Sequence, residues 1–227
     1  MFHKFLSILL SWLYLLIVQG FLASATTKKK YTPTIERKPV SQSEAAGSRG
    51  CVRAMGTTPL VFLIPRERVQ PTLSRHPTFI WYLPQPVPVP LRFTLIKPGT
   101  MDVIYRQEIQ GDKAGIFVLK LPTNLSKLSE NQEYRWTITL VCNDLKPSSN
   151  ISLWGWLKPI STPVELQQKL SLATSRSEKS KILEEAGFWH DVYQVWYDSL
   201  PENSIIRLDK TSLPEDVQRQ LEQKEIL

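Results

Sequence analysis

The stretch "YRWTITLVC", Tyr134 to Cys142, decides the fold. Successive side chains of a strand point to opposite faces. Tyr134, Trp136, Ile138, Leu140 and Cys142 therefore share one side, and Arg135, Thr137, Thr139 and Val141 the other. One apolar and one mostly polar side predict a half-buried strand with its cysteine turned to the core. Six further runs are rich in β-branched and aromatic residues or alternate in the same way: "PLVFLI" (59–64), "TFIWYL" (78–83), "LRFTLI" (91–96), "DVIYRQEI" (102–109), "GIFVLKL" (115–121) and "NISLWGWLK" (150–158). Pro, Gly, Asn and Ser separate them, so residues 51–160 read as an antiparallel β-sandwich. Just upstream of the opening stretch, "LSENQEY" places Leu128 six residues before Tyr134. That arrangement is similar to the tyrosine corner of immunoglobulin-like sandwiches, whose strand-entry hydroxyl bonds backbone upstream. Tyr134 stands eight residues before Cys142 instead of two, so an antibody-type core does not follow.

Residues 161–227 read as a helical region packed on the sandwich, which makes the fold class α+β. Thr162-Pro163-Val164-Glu165, Ser175-Arg176-Ser177-Glu178 and Ser212-Leu213-Pro214-Glu215 each have the form of a capping box that opens a helix. Gly187 ends the second helix, and "GFWHDVYQVWYDSL" (187–200) follows as a helix of its own, stopped by Pro201. Trp189, Val192, Tyr193, Trp196 and Leu200 form a stripe along it. In residues 150–158, Trp154 and Trp156 fall on the face opposite Ile151, Leu153 and Leu157, with Gly155 between them. The reading is that this stripe packs on Trp154 and Trp156, while Phe188 and Tyr197 lie off it and are exposed. Large rings remove about 150 to 250 Å² each from water, so such a seam would be substantial. The competing reading is an open aromatic surface that stacks on sugar rings or holds a partner protein.

The N-terminus differs from the body. Lys4 precedes the apolar run "FLSILLSWLYLLIV", and "FLASA" then supplies the small residues Ala23-Ser24-Ala25. These features predict an export signal over residues 1–25, cleaved after Ala25. The alternative is a membrane anchor formed by residues 5–25. Lys28, Lys29 and Lys30 fit neither reading, because positive charge past an apolar segment resists outward transfer. Residues 26–50 are polar and proline-interrupted, a tether that cannot bury enough surface to fold alone. The chain carries a net charge of +7, and this tether, with six basic and two acidic residues, supplies +4 of it. A basic tail beside a nearly neutral body suits an acidic membrane or envelope surface and argues against a nucleic-acid groove.

Export also decides how the two cysteines are read. Cys51 and Cys142 have no metal-ligand spacing, and an oxidising compartment allows a disulfide between them to persist. Motifs for catalysis are not found. His76 precedes Pro77 at a strand entrance and reads as an exposed or hydrogen-bonded turn residue; His190, beside Asp191, reads as solvent-facing. Neither belongs to a zinc-protease motif or a nucleophile arrangement, and no phosphate-binding glycine loop is present. No cofactor or metal is expected.

The chain resembles the uncharacterised secreted cyanobacterial proteins grouped as domain of unknown function family 928. "GC" (50–51), "HPTFIWYLP" (76–84), "YRW" (134–136), "LVC" (140–142), "GWLKPI" (155–160) and "EEAGFWHDVY" (184–193) carry the resemblance. It implies an exported protein of a photosynthetic bacterium, with a sandwich followed by helices, and it implies no activity. "GFWHDVYQVW" (187–196) is also similar to the middle of a tetratricopeptide repeat. One such unit cannot bury a continuous core, so it reads as a lone hairpin that must dock. The functional expectation is an exported, non-catalytic module of the periplasm or the cell exterior that binds another exported protein. A polysaccharide-binding module is the alternative, and an unrecognised hydrolase the third.

Overall fold

The structure is a computed structural model; it describes residues 60–65, 68–100 and 102–198, the backbone of Ile205–Leu208, and Gln218. Among these residues lie the strands β1 (Val61–Phe62), β2 (Gln70–Thr72), β3 (Thr78–Leu83), β4 (Leu91–Lys97), β5 (Asp102–Ile109) and β6 (Gly115–Lys120). They continue as β7 (Tyr134–Leu140), β8 (Ile151–Pro159) and β9 (Ile205–Leu208), with helices α1 (Val164–Leu172), α2 (Arg176–Ala186) and α3 (Trp189–Tyr197) between β8 and β9. The class is α+β: two sheets face each other, ordered β1-β3-β6-β9 and β2-β8-β7-β4-β5, with three helices inserted between β8 and β9.

All seven expected runs contain strands. The sandwich is nevertheless not wholly antiparallel, because β2 pairs with β8 in parallel, Gln70 beside Leu157 and Thr72 beside Pro159. Proline removes a ladder donor, so the sequence "QPT" does not read as a strand; it is tolerated at the sheet edge. A second difference is β9, which falls inside the segment expected to be helical throughout and pairs with β6. Residues 1–59 and the third capping box lie outside the described residues, and so do the expected signal, the tether, Cys51 and Leu200.

The core follows from the alternation of β7. Tyr134, Trp136, Ile138 and Leu140 are buried, and Arg135, Thr137 and Thr139 between them are half-buried. Trp136 stacks on Phe62 at 4.1 Å between ring centroids, and Phe79 bridges Trp136 and Phe93 at 5.1 and 4.8 Å. Gly155 faces Trp136 across the β7–β8 ladder, and a Cβ there would lie 2.8 Å from the indole Nε1. That close approach requires a glycine. Gly155 thus serves the inner face, and not a gap between Trp154 and Trp156. The tyrosine corner is formed: the Tyr134 hydroxyl accepts a hydrogen bond from the Ser129 N–H at 2.8 Å.

The two sheets differ in cover. Every residue of β3 is buried, as are five of the six in β6, so both faces of these strands are shielded. Strands β7 and β8 bury one face only.

Helix α1 begins at Val164 with Pro163 as its cap residue and no capping side chain, so the first expected capping box is not made. The second is. Ser175 Oγ accepts from the Glu178 N–H at 3.1 Å, and the Glu178 carboxylate reaches back to the Thr174 N–H at 2.8 Å. Helix α2 ends at Gly187, whose φ of 82° is left-handed; the Gly187 and Phe188 N–H groups donate to the carbonyls of Glu184 and Leu183, each at 2.9 Å. Phe188 and Leu183 also share one apolar cluster, which fixes the turn into α3.

Candidate functional site

The aromatic helix is not the site. Phe188, Val192 and Tyr193 have no exposure and Tyr197 has 8%, so the expectation that Phe188 and Tyr197 are exposed is overturned. The reason is where α3 docks. It touches β3 of one sheet and β2 of the other, instead of lying over Trp154 and Trp156 on the outer face. Cover from more than one side leaves no free face of the helix for off-stripe rings. Phe188 and Val192 join Leu166 and Leu183 in a satellite cluster, while Tyr193 and Tyr197 belong to the main core. Trp189 and Trp196 are half-buried against that core, and the Trp196 indole donates to the buried Ser180 hydroxyl at 2.8 Å. The Tyr193 hydroxyl donates to the Leu63 carbonyl at 2.8 Å, which ties α3 to the start of the sandwich.

His190, expected in solvent, is fully buried. Its Nδ1 lies 2.8 Å from the Thr78 carbonyl, so that nitrogen carries the proton and donates it. The ring meets Phe79 and Trp136 edge-on, at centroid separations of 5.4 and 6.0 Å. Burial pushes its pKa down to about 4, against the opposing pull of the Thr78 carbonyl, and the imidazole is neutral. Asp191 beside it is 6% exposed and accepts the Leu73 N–H on both carboxylate oxygens, at 3.0 and 3.1 Å. Burial pushes this carboxyl up to about 7 even though the hydrogen bonds from Leu73, Thr72 and Ser74 favour its charged form. The two residues anchor α3 to the β2–β3 connection. His190 is closed to a dissolved substrate, whereas Asp191 reaches the wall of a groove between the helices. His76 is a hydrogen-bonded turn residue, as expected, its Nε2 lying 3.0 Å from the Leu125 carbonyl.

The outer face of the five-stranded sheet remains. Register places Trp156 opposite Arg135 and Trp154 opposite Thr137 on β7, and Arg135 and Thr137 opposite Ile96 and Thr94 on β4. The next step reaches β5, where Arg106 stands opposite Thr94 and Val103 opposite Ile96. Side chains in register share a face, so two rows cross the sheet: Trp156, Arg135, Ile96, Val103 and Trp154, Thr137, Thr94, Arg106. Both tryptophans are half-buried and belong to neither apolar cluster. They stand on a strand flanked by neighbours on both sides, about 6.7 Å apart along the chain. A third row begins with Ser152, hydrogen-bonded at 2.9 Å to Thr139, and ends at Arg92, which is held by Glu108 and, at 2.8 Å, by Asp144.

The sequence singled out Trp154 and Trp156 for this face but not the charges beside them. Arg135 was legible there, since the alternation of residues 134–142 turns it outward with Thr137. Arg106 was not, because "DVIYRQEI" is interrupted by a register shift opposite Leu95 and Ile96. Elsewhere, a groove of about 480 Å³ opens between the helices, with Leu170, Leu183 and Val195 in its wall and Arg176 and Lys179 among its polar groups. Among the described residues no cluster of His, Cys, Asp or Glu has the geometry to hold a metal ion, and no helix is long and apolar enough to cross a membrane.

The curated proteins contain no match to this chain. The model of the Domain of Unknown Function (DUF928) family matches residues 44–225, which takes in both sheets, the three helices and the returning strand β9. The chain belongs to the Domain of Unknown Function (DUF928) family.

Proposed function

We propose that the chain is an exported, non-catalytic binding module that holds an envelope polysaccharide on the outer face of its five-stranded sheet. The observation that carries this reading is the pair Trp154 and Trp156: two large rings at alternate positions of an interior strand, outside both apolar clusters, with hydroxyls of Thr137, Thr94 and Ser152 on the same face. Flat apolar rings bordered by hydrogen-bonding groups suit the faces and hydroxyls of sugars. The aromatic residues of α3 are consumed by the core and do not compete for this role. Export rests on the N-terminal signal pattern, and the basic segment 26–50 adds a peripheral hold on an acidic membrane or envelope surface.

The test is co-sedimentation of the chain with insoluble envelope material before and after protease has stripped that material of protein. Binding survives stripping and is lost in Trp154→Ala/Trp156→Ala, while the thermal midpoint stays close to that of the parent. Undiminished binding by the folded double variant would remove the reading. One feature favours a protein partner instead: Val164 and Leu172 on α1 are 70% and 78% exposed. Binding lost on stripping would move attention there.

A further inference from the structure

Resting on that polysaccharide reading, the charge on the same face points to the kind of chain it takes. Three cations stand on or beside the rows that hold the tryptophans: Arg135 opposite Trp156, Arg106 in the row of Trp154, and Lys158 two residues beyond Trp156 on β8. Among the described residues none of the three has an ion-pair partner, and the Nε of Arg135 is buried with no hydrogen-bond acceptor. Two acidic groups near this face are already spent. Glu108 and Asp144 both close on Arg92, one row away. The fourth cation of the face, Arg92, is therefore neutralised within the protein, and the other three sit beside the rings.

Unpaired cations on one sheet face repel each other, and Arg135 also bears the desolvation of a half-buried guanidinium. An acidic ligand relieves both costs. Guanidinium groups pair with carboxylate and sulfate oxygens through two parallel hydrogen bonds, and flat rings beside them take the apolar faces of the sugar. We propose that the ligand is an acidic polysaccharide, whose uronate or sulfate groups meet Arg106, Arg135 and Lys158 while its sugar rings stack on Trp154 and Trp156.

The experiment is affinity electrophoresis of the full chain through gels that contain polygalacturonate, a sulfated galactan or a neutral glucan, each at low and at raised salt. Retardation is expected to be at least tenfold stronger in one of the acidic gels than in the neutral one and to weaken with salt. Arg106→Gln/Lys158→Gln removes most of it, and so does Trp154→Ala/Trp156→Ala. The two acidic gels distinguish uronate from sulfate as the preferred group. Retardation by acidic gels that persists in the tryptophan variant would assign the effect to the basic segment 26–50 and overturn the proposal. Equal retardation in neutral and acidic gels, lost only in the tryptophan variant, would overturn the acidic preference and leave the polysaccharide reading standing. No retardation in any gel, together with no binding to stripped envelope, would overturn both.

Discussion

His190 and Asp191 are neighbours in sequence, titrate in opposite senses, and so give the fold a pH dependence that neither shows alone. In the unfolded chain His190 takes up a proton near pH 6.5, whereas in the fold it does so only near 4. Its contribution to stability is complete above 6.5 and is lost as pH falls toward 4. Asp191 behaves in reverse: its pKa rises from 3.8 to about 7 on folding, so its contribution is complete below 3.8 and is lost as pH rises toward 7. Between these limits each state holds one proton on the pair, and the two slopes cancel. Arg176 and Lys179 share the groove wall with Asp191. Asp191→Asn should therefore expose the histidine: unfolding free energies from urea titrations between pH 6.5 and 4 should fall by up to about 1.4 kcal/mol per pH unit, while the parent stays flat. The slope is the readout, because the Asn side chain also weakens the bond to Leu73 and lowers stability at every pH. A variant as flat as the parent would show that His190 is not held neutral by burial. None of this was legible in "WHD". A His-Asp pair in a helix reads as a polar surface, and the groups that bury it, Thr78 and Leu73, lie 112 and 118 residues away along the chain.

At the scale of elements, local chemistry was legible where it closes on itself. The strands β3 to β8 and the Ser175 cap follow from alternation and from a side chain that meets backbone three residues on. The turn at Gly187 is of the same kind and gives a clean test. A Cβ at Gly187 would meet nothing within 4 Å, so the cost of Gly187→Ala is conformational alone. It should lower stability by about 1 to 2 kcal/mol, the penalty of placing an L side chain in the left-handed region. Gly187→Asn should recover part of the loss, because asparagine visits that region more readily. Thermal midpoints of the three proteins decide it, and equal midpoints for Ala and Gly would mean that the turn rearranges. Edges and docking were illegible for a different reason. β2 is three residues long, contains Pro71 and is held by the parallel ladder to β8, so nothing in "QPT" announces it. The site where α3 docks is set by both sheets at once. A stripe of rings specifies that a helix will be buried, but not whether on the outer face of a sheet or against β2 and β3.

For the whole molecule, the unequal cover of the two sheets leaves one face of β7 and β8 half-buried, and it raises the question of what ties the sequence ahead of β1 to the sandwich. The main core packs against Cys142 just past the end of β7, and the Cys142 N–H donates to Asn150 Oδ1 at 2.9 Å, which fixes that end of the strand. Cys51, the other cysteine of the chain, lies nine residues before Leu60, where the described core begins. We propose that the two are bonded after export. The bond would tie the sequence ahead of β1 to the end of β7, across a loop that spans most of the sandwich. In the chain-entropy model a loop of that length stabilises the fold by about 4 to 5 kcal/mol, since the reduced unfolded chain has far more conformations to lose. Protein purified from its own compartment should resist alkylation until it is reduced, and reduction should lower the thermal midpoint by roughly 10 °C or more. Cys51→Ser should lower it by the same amount and make it insensitive to reductant. Two thiols that alkylate without reduction would refute the bond. In that case Cys142 packs as a small apolar residue at the edge of the core.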